Sequence, residues 1–250
     1  MINFYKRALI VAPHSDDEIF TLPFIYSELN KFKKLDLLII ENDSKRIREA
    51  FLSANINSLN LILMPKEYNF EGLYFHKKVD VLINYFLDIW DDYDLILAPL
   101  LEGGHQDHDT VCAAILFCKE LSKGSPKLIL YPTYRNYLKI PWIYQCGVSK
   151  ELFSDYLFKV KIPQNIIYLL TKTILLCYRS QYKSWILLLP AILISMIRSN
   201  YGNFVLANEL RLKDIMNTIP QKPLYQIYRG LNPQEWLDTI QENFHKINKV

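Results

Sequence analysis

The sequence has no G-x-G-x-x-G after its first apolar run, no Cys-x-x-Cys pair, no bilayer-spanning apolar stretch and no concentration of positive charge. Each absence removes a class of function. Without the glycine fingerprint, the turn after the first strand lacks what a pyrophosphate cradle needs, which argues against a Rossmann-type nucleotide binder. Cys112, Cys118, Cys146 and Cys177 lack the spacing of a thiolate metal site and read as buried, reduced thiols. A net charge of +3, from scattered lysines and arginines, gives no electrostatic footprint for nucleic acid. Met1 to Val11 includes Lys6 and Arg7 but no long apolar region and no small-residue cleavage site, so a cytoplasmic protein is expected.

The most apolar run is Trp185 to Ile197. As a helix it would reach about 20 Å, against about 30 Å of hydrocarbon, so no transmembrane segment is expected. Pro190 interrupts it, and Lys183 and Arg198 bracket it. A buried helix is expected in preference to an interfacial one, because the run shows no Lys/Arg-rich polar face.

A composition 50% hydrophobic and 22% charged suits one globular domain over 1–250, with a real core. Short apolar runs at Leu9 to Val11, Leu35 to Ile40, Leu59 to Leu63, Leu95 to Ala98 and Lys127 to Tyr131 read as strands. Between them lie helical patterns, among them Lys45 to Asn55, which follows the capping turn Glu41, Asn42, Asp43, Ser44, and Val79 to Trp90. This alternation predicts an α/β fold: a Rossmann-like, doubly wound, mostly parallel sheet with helices on both faces. The core is expected over about 1–132. A variable, less regular part fills 133–250, where Pro141, Trp142 and Tyr144 read as an irregular aromatic segment.

Two strand-to-helix junctions carry chemistry. The first is Pro13, His14, Ser15, Asp16, Asp17, Glu18. Ser15 and Glu18 have the spacing of a capping box and predict a helix start at Ser15. Capping needs one acid only, so His14 and the second aspartate are surplus to it. The second junction is Gly103, Gly104, His105, Gln106, Asp107, His108, Asp109. In a parallel sheet both junctions open onto the edge where the strands end, the edge at which such sheets bind ligands. Three imidazoles and several carboxylates converging there offer the nitrogen and oxygen donors that zinc takes, with a position left for water.

The pair PHSDDE and HQDH, each after a strand, resembles the PIG-L (LmbE-like) family of zinc-dependent N-acetylglucosaminyl de-N-acetylases, whose usual forms are PHPDDE and HPDH. The resemblance implies that His14, Asp17 and His108 hold one Zn2+. It implies that Asp16 is the general base, that His105 assists at the oxyanion or leaving group, and that Asp107 orients a histidine. The implied activity is hydrolysis of acetyl from an N-acetylated amino sugar, with a small molecule or glycoconjugate as substrate. The alternatives are an amidase on another acyl-amine or sugar-thiol conjugate, and a carbohydrate-binding protein without turnover. An intact Asp16 argues against the last, since binding alone needs no base. Arg46 and Glu49 match the spacing of a family helix, but by themselves they read as a solvated i,i+3 pair. Lys172 and the segment Tyr178, Arg179, Ser180, Gln181 match another family feature. Tyr68, Phe70, Tyr74 and Phe75 suit either stacking on a sugar or packing of a loop, and His76 lacks ligand-like neighbours.

Overall fold

Each of the apolar runs becomes a strand, and the strands assemble in the order that leaves a crevice where the two motifs end. The computed structural model describes residues 4–70, 74–122, 126–137, 140–148, 153–197, 202–217 and 223–247. Strands β1 (Tyr5–Ala12), β2 (Phe32–Ile39), β3 (Asn60–Leu63), β4 (Leu95–Pro99) and β5 (Lys127–Tyr131) pair in parallel. A hairpin, β6 (Arg135–Tyr137) with β7 (Ile140–Gln145), follows. Strands β8 (Leu157–Lys159) and β9 (Asn203–Leu206) then join the main sheet antiparallel, giving the order β3-β2-β1-β4-β5-β9-β8.

The sheet is buried on both faces, so its strands are apolar at successive positions instead of alternating. Leu9, Val11, Leu38, Ile96, Ala98, Leu128 and Leu130 point into one apolar cluster, and Ala8, Ile10, Leu37, Leu95, Leu97 and Ile129 into the other. On the first face lie α3 (Val79–Ile89), α4 (Gln106–Leu121) and α9 (Pro233–Ile247), through residues such as Phe86, Ile115 and Trp236. On the second lie α1 (Leu22–Glu28), α2 (Ser44–Ile56), α5 (Ile166–Cys177) and α6 (Tyr182–Ile197), through Phe24, Ala54, Leu170 and Leu188. Short helices α7 (Leu212–Met216) and α8 (Leu224–Arg229) precede α9. The expected α/β architecture, with helices on both faces, is the one observed.

Three expectations are corrected. Ser15 caps nothing: the junction is a tight turn leading to a 3-10 helix, Asp17–Thr21, whose N-cap is Asp16 with no side-chain cap, and α1 begins only at Leu22. Glu18 is drawn instead to Ser53 and to the Tyr178 hydroxyl. The segment with Pro141, Trp142 and Tyr144 is strand β7, not irregular chain. The apolar run in α6 is buried along one face only. Trp185, Leu188, Ala191 and Ile192 pack inward, while Ile186 is 71% exposed, Leu187 45% and Ile194 49%. Among the described residues, no helix is long and apolar enough to cross a membrane.

Candidate metal centre

In the order β3-β2-β1-β4-β5 the direction of winding reverses between β1 and β4, and the crevice at that reversal is where a doubly wound sheet binds its ligand. His14 follows β1 at once, and His105 and His108 stand just after β4, at and inside the start of α4. Sequence neighbours of two separate strands therefore meet: imidazole nitrogens of His14, His105 and His108 lie within 4.8 Å of one another, all buried.

At the centre is a triangle of donor atoms. His14 Nδ1 lies 3.1 Å from Asp17 Oδ2 and 3.2 Å from His108 Nε2, and His108 Nε2 lies 3.1 Å from the same Asp17 oxygen. Ligands on a tetrahedral ion at about 2.0–2.1 Å stand roughly 3.3 Å apart, close to these three edges.

The nitrogen that each ring turns inward is set by what its other nitrogen touches. His14 Nε2 faces Asp107 Oδ2 at 3.3 Å, so a proton there leaves the Nδ1 lone pair in the triangle. Asp107 is itself held, its Oδ1 accepting from the Phe75 amide at 3.2 Å. His108 Nδ1 faces the Thr133 hydroxyl at 3.2 Å, leaving Nε2 for the triangle. Asp17 Oδ2 also accepts from the His14 amide at 2.8 Å, which locks the turn. His105 differs: its Nδ1 caps α4 by accepting from the Asp107 amide at 3.2 Å, so its proton sits on Nε2.

Electrostatics agree with a cation at this point. Burial opposes a charged His14, yet its hydrogen bonds to Asp107 and Asp17 prevail and push the imidazole up to about 10. Burial likewise opposes a charged Asp17, but His108 and His14 hold its carboxyl well below the ordinary range. A carboxylate site that holds a buried proton this firmly is one a divalent ion can occupy in its place.

Asp16, beside the triangle, is held by partners outside it. Its Oδ1 accepts from Arg46 Nη2 at 2.6 Å and its Oδ2 from the Trp185 indole at 3.1 Å. Burial raises the Asp16 pKa against the pull of Arg46, and the charge of Asp17 adds to the rise. Arg46 is thus no solvated helix residue. It is largely buried and bridges Asp16 to Glu41, 2.8 Å away. Glu49, its expected partner, accepts instead from the backbone amide and hydroxyl of Ser180 at 2.7 and 2.6 Å, which ties α2 to the Tyr178–Gln181 segment. Trp185 and Thr133 had no readable signal, because their roles depend on contacts with residues far away in the chain. Phe70 and Phe75 pack inward, Tyr74 is exposed, and His76 is buried outside the imidazole cluster.

This fold is shared with deacetylases of known structure. The backbone is similar to that of N,N'-diacetylchitobiose deacetylase from Pyrococcus horikoshii, with 15% identity, a TM-score of 0.56, and 83% of this chain and 87% of that chain covered. It is similar also to a triple mutant of the deacetylase Orf2 of the teicoplanin biosynthetic pathway, with 15% identity, a TM-score of 0.52, and 80% and 96% coverage. The zinc-inhibited form of teicoplanin deacetylase Orf2 gives 12% identity, a TM-score of 0.50 and the same 80% and 96% coverage. No family model matches the sequence, and no curated protein does.

Proposed function

We propose that the protein is a zinc-dependent hydrolase that removes acetyl from an N-acetylated amino sugar, of the N-acetylglucosamine type. The observation that carries this reading is the donor triangle of His14 Nδ1, Asp17 Oδ2 and His108 Nε2, each imidazole fixed from behind by Asp107 or Thr133. The fold likeness to deacetylases supports it, as does the sugar substrate in the name of the chitobiose enzyme.

His14, Asp17 and His108 would hold the ion. Zn2+ bound there would supply a Lewis acid and bring the pKa of a water down to about 7. The remaining chemistry belongs to the chain. Asp16, its two oxygens aligned by Arg46 and Trp185, accepts a proton as water adds to the acetamide carbon. His105 donates from Nε2 to the oxygen that becomes anionic. When the carbon–nitrogen bond breaks, the proton on Asp16 passes to the departing nitrogen, and the products are acetate and a free amine.

The test joins metal analysis of the purified protein to acetate release from N-acetylglucosamine glycosides, diacetylchitobiose included. The expected result is one zinc per chain and turnover that a chelator abolishes and zinc restores. His14→Ala, Asp17→Ala and His108→Ala should each lose most of the metal while remaining folded. Stoichiometric metal in any two of them overturns the ligand set. Tight sugar binding with no acetate release overturns the hydrolase in favour of a carbohydrate-binding protein.

A further inference from the structure

We propose that the outward faces of α5 and α6 together form a docking surface for an anionic lipid bilayer. Each helix has two apolar faces. In α5, Ile166, Leu170, Ile174 and Cys177 pack inward, whereas Ile167, Tyr168, Leu175 and Leu176 are 51%, 64%, 54% and 52% exposed. In α6 the inward face is opposed by exposed Ile186, Leu187 and Ile194. A helix solvated on that side would carry polar residues there. Apart from adjacent pairs, the spacings are seven to nine residues, about two helical turns, which lines these side chains into one stripe per helix. The stripes meet in a groove of about 180 Å³ lined by Thr171, Leu175, Tyr182, Ile186 and Leu189, and the Tyr182 hydroxyl donates to the Leu175 carbonyl at 2.9 Å. The apolar surface is continuous, of the kind that marks an interaction site.

Charge identifies the occupant. Residues 156–208 contain six lysines and arginines and no aspartate or glutamate. Lys161, Lys172, Arg179 and Lys183 are exposed; Lys172 stands four residues from Tyr168 and Leu176, and Lys183 three and four before Ile186 and Leu187, which puts both on the stripes. Cations, tyrosines and aliphatic side chains on one surface are what the boundary of an anionic membrane receives. A second copy meeting this face through a twofold axis would set like charges against one another. At about 1.5 Å per residue the sixteen residues of α6 reach roughly 24 Å, so the helix lies on a bilayer and does not span it.

Trp185 joins this surface to the site. Its indole reaches Asp16, while the next residue, Ile186, faces outward. Under the deacetylase reading, on which this point alone rests, substrate would be taken from the membrane boundary.

Co-sedimentation of the full chain with vesicles decides the matter. Wild type should bind vesicles of equal phosphatidylglycerol and phosphatidylcholine much more tightly than pure phosphatidylcholine, and added salt should weaken the binding. Lys172→Glu/Lys183→Glu should lower partitioning about tenfold or more. Ile186→Asp/Leu187→Asp should do the same with an unchanged circular dichroism melt, since both side chains are exposed. No sedimentation of wild type, or undiminished binding by both pairs of variants, overturns the proposal. So does a stable dimer, seen by light scattering, that the aspartate pair splits without any vesicle binding in wild type. The readout is independent of turnover, so a failure to release acetate would leave it standing.

Discussion

Two adjacent aspartates have opposite environments, and that difference can be measured. Asp17 is pulled down by the imidazoles around it against the effect of burial, and Asp16 is pushed up by burial against the pull of the Arg46 guanidinium. Asp16→Asn should keep its metal and lose about 10² or more in kcat, the scale of a lost general base. Asp17→Asn should lose metal first. Elemental analysis with steady-state kinetics checks both, and exchanged phenotypes would mean that the roles are reversed. Arg46 belongs to the same scale, because it bridges two buried carboxylates. Arg46→Met leaves both without their cation, at a cost of about 3–5 kcal/mol. Arg46→Lys keeps the charge but not the fork. Weaker support for ionised Asp16 should move the acidic limb of the kcat/KM profile to higher pH, and a limb that stays in place argues against Asp16 as the titrating base.

At the scale of elements, the loop between β4 and α4 and the chain after β5 pack without room for a side chain between them. A Cβ on Gly104 would lie 1.8 Å from the Tyr134 carbonyl oxygen. Backbone cannot swing aside as a side chain can, so Gly104→Ala must displace either His105 or the connection after β5 that carries Thr133. It should destabilise the protein by about 1–3 kcal/mol and, under the proposed function, weaken metal binding through the Thr133–His108 contact. A chelator titration measures this, and unchanged metal affinity would show that Thr133 does not position the ring. The strands and both motif loops were legible in the sequence because a buried parallel sheet writes itself as short apolar runs, and the turns after those runs stand out by their polarity. The Asp16–Arg46–Trp185 grouping was not legible, since it joins three elements across 169 positions. The capping box failed for a related reason. Glu18 has the spacing for a local bond but finds Ser53 and Tyr178, both distant in the chain, in a buried setting where a lone carboxyl needs more than one donor. The one-sided burial of α6 is not legible in the sequence, because a helix apolar all round reads as buried.

For the molecule as a whole, buried acids set the pH dependence of stability. Glu102 stands three residues before His105, outside the triangle, with Arg135 and the Thr133 amide as partners. Burial nevertheless pushes its carboxyl from 4.5 up to about 7. Below 4.5 both folded and unfolded chains hold this proton; above it the unfolded chain releases it first. The contribution is therefore fully present below 4.5 and is lost as the pH rises to about 7, a fall of up to roughly 3 kcal/mol. Glu102→Gln removes the titration. Urea unfolding at pH 5 and pH 8 should show wild type losing more stability than the variant over that interval, and equal losses would mean that Glu102 ionises as freely folded as unfolded.

The sheet also dictates an order of assembly during synthesis. All three triangle donors, with Asp107 and Thr133 behind them, lie within the first 133 residues, on or beside the five parallel strands. The outer edge of β5 is closed by β9, which pairs Ile129 with Leu206. A growing chain emerging from the ribosome can thus bring together the donors for an ion long before Trp185 arrives to align Asp16. Until Leu206 follows, it carries an open strand edge of the kind that recruits chaperones or mispairs. Under the proposed function, the donors would be assembled some fifty residues of translation before Trp185 arrives, and some seventy before β9 closes the sheet edge.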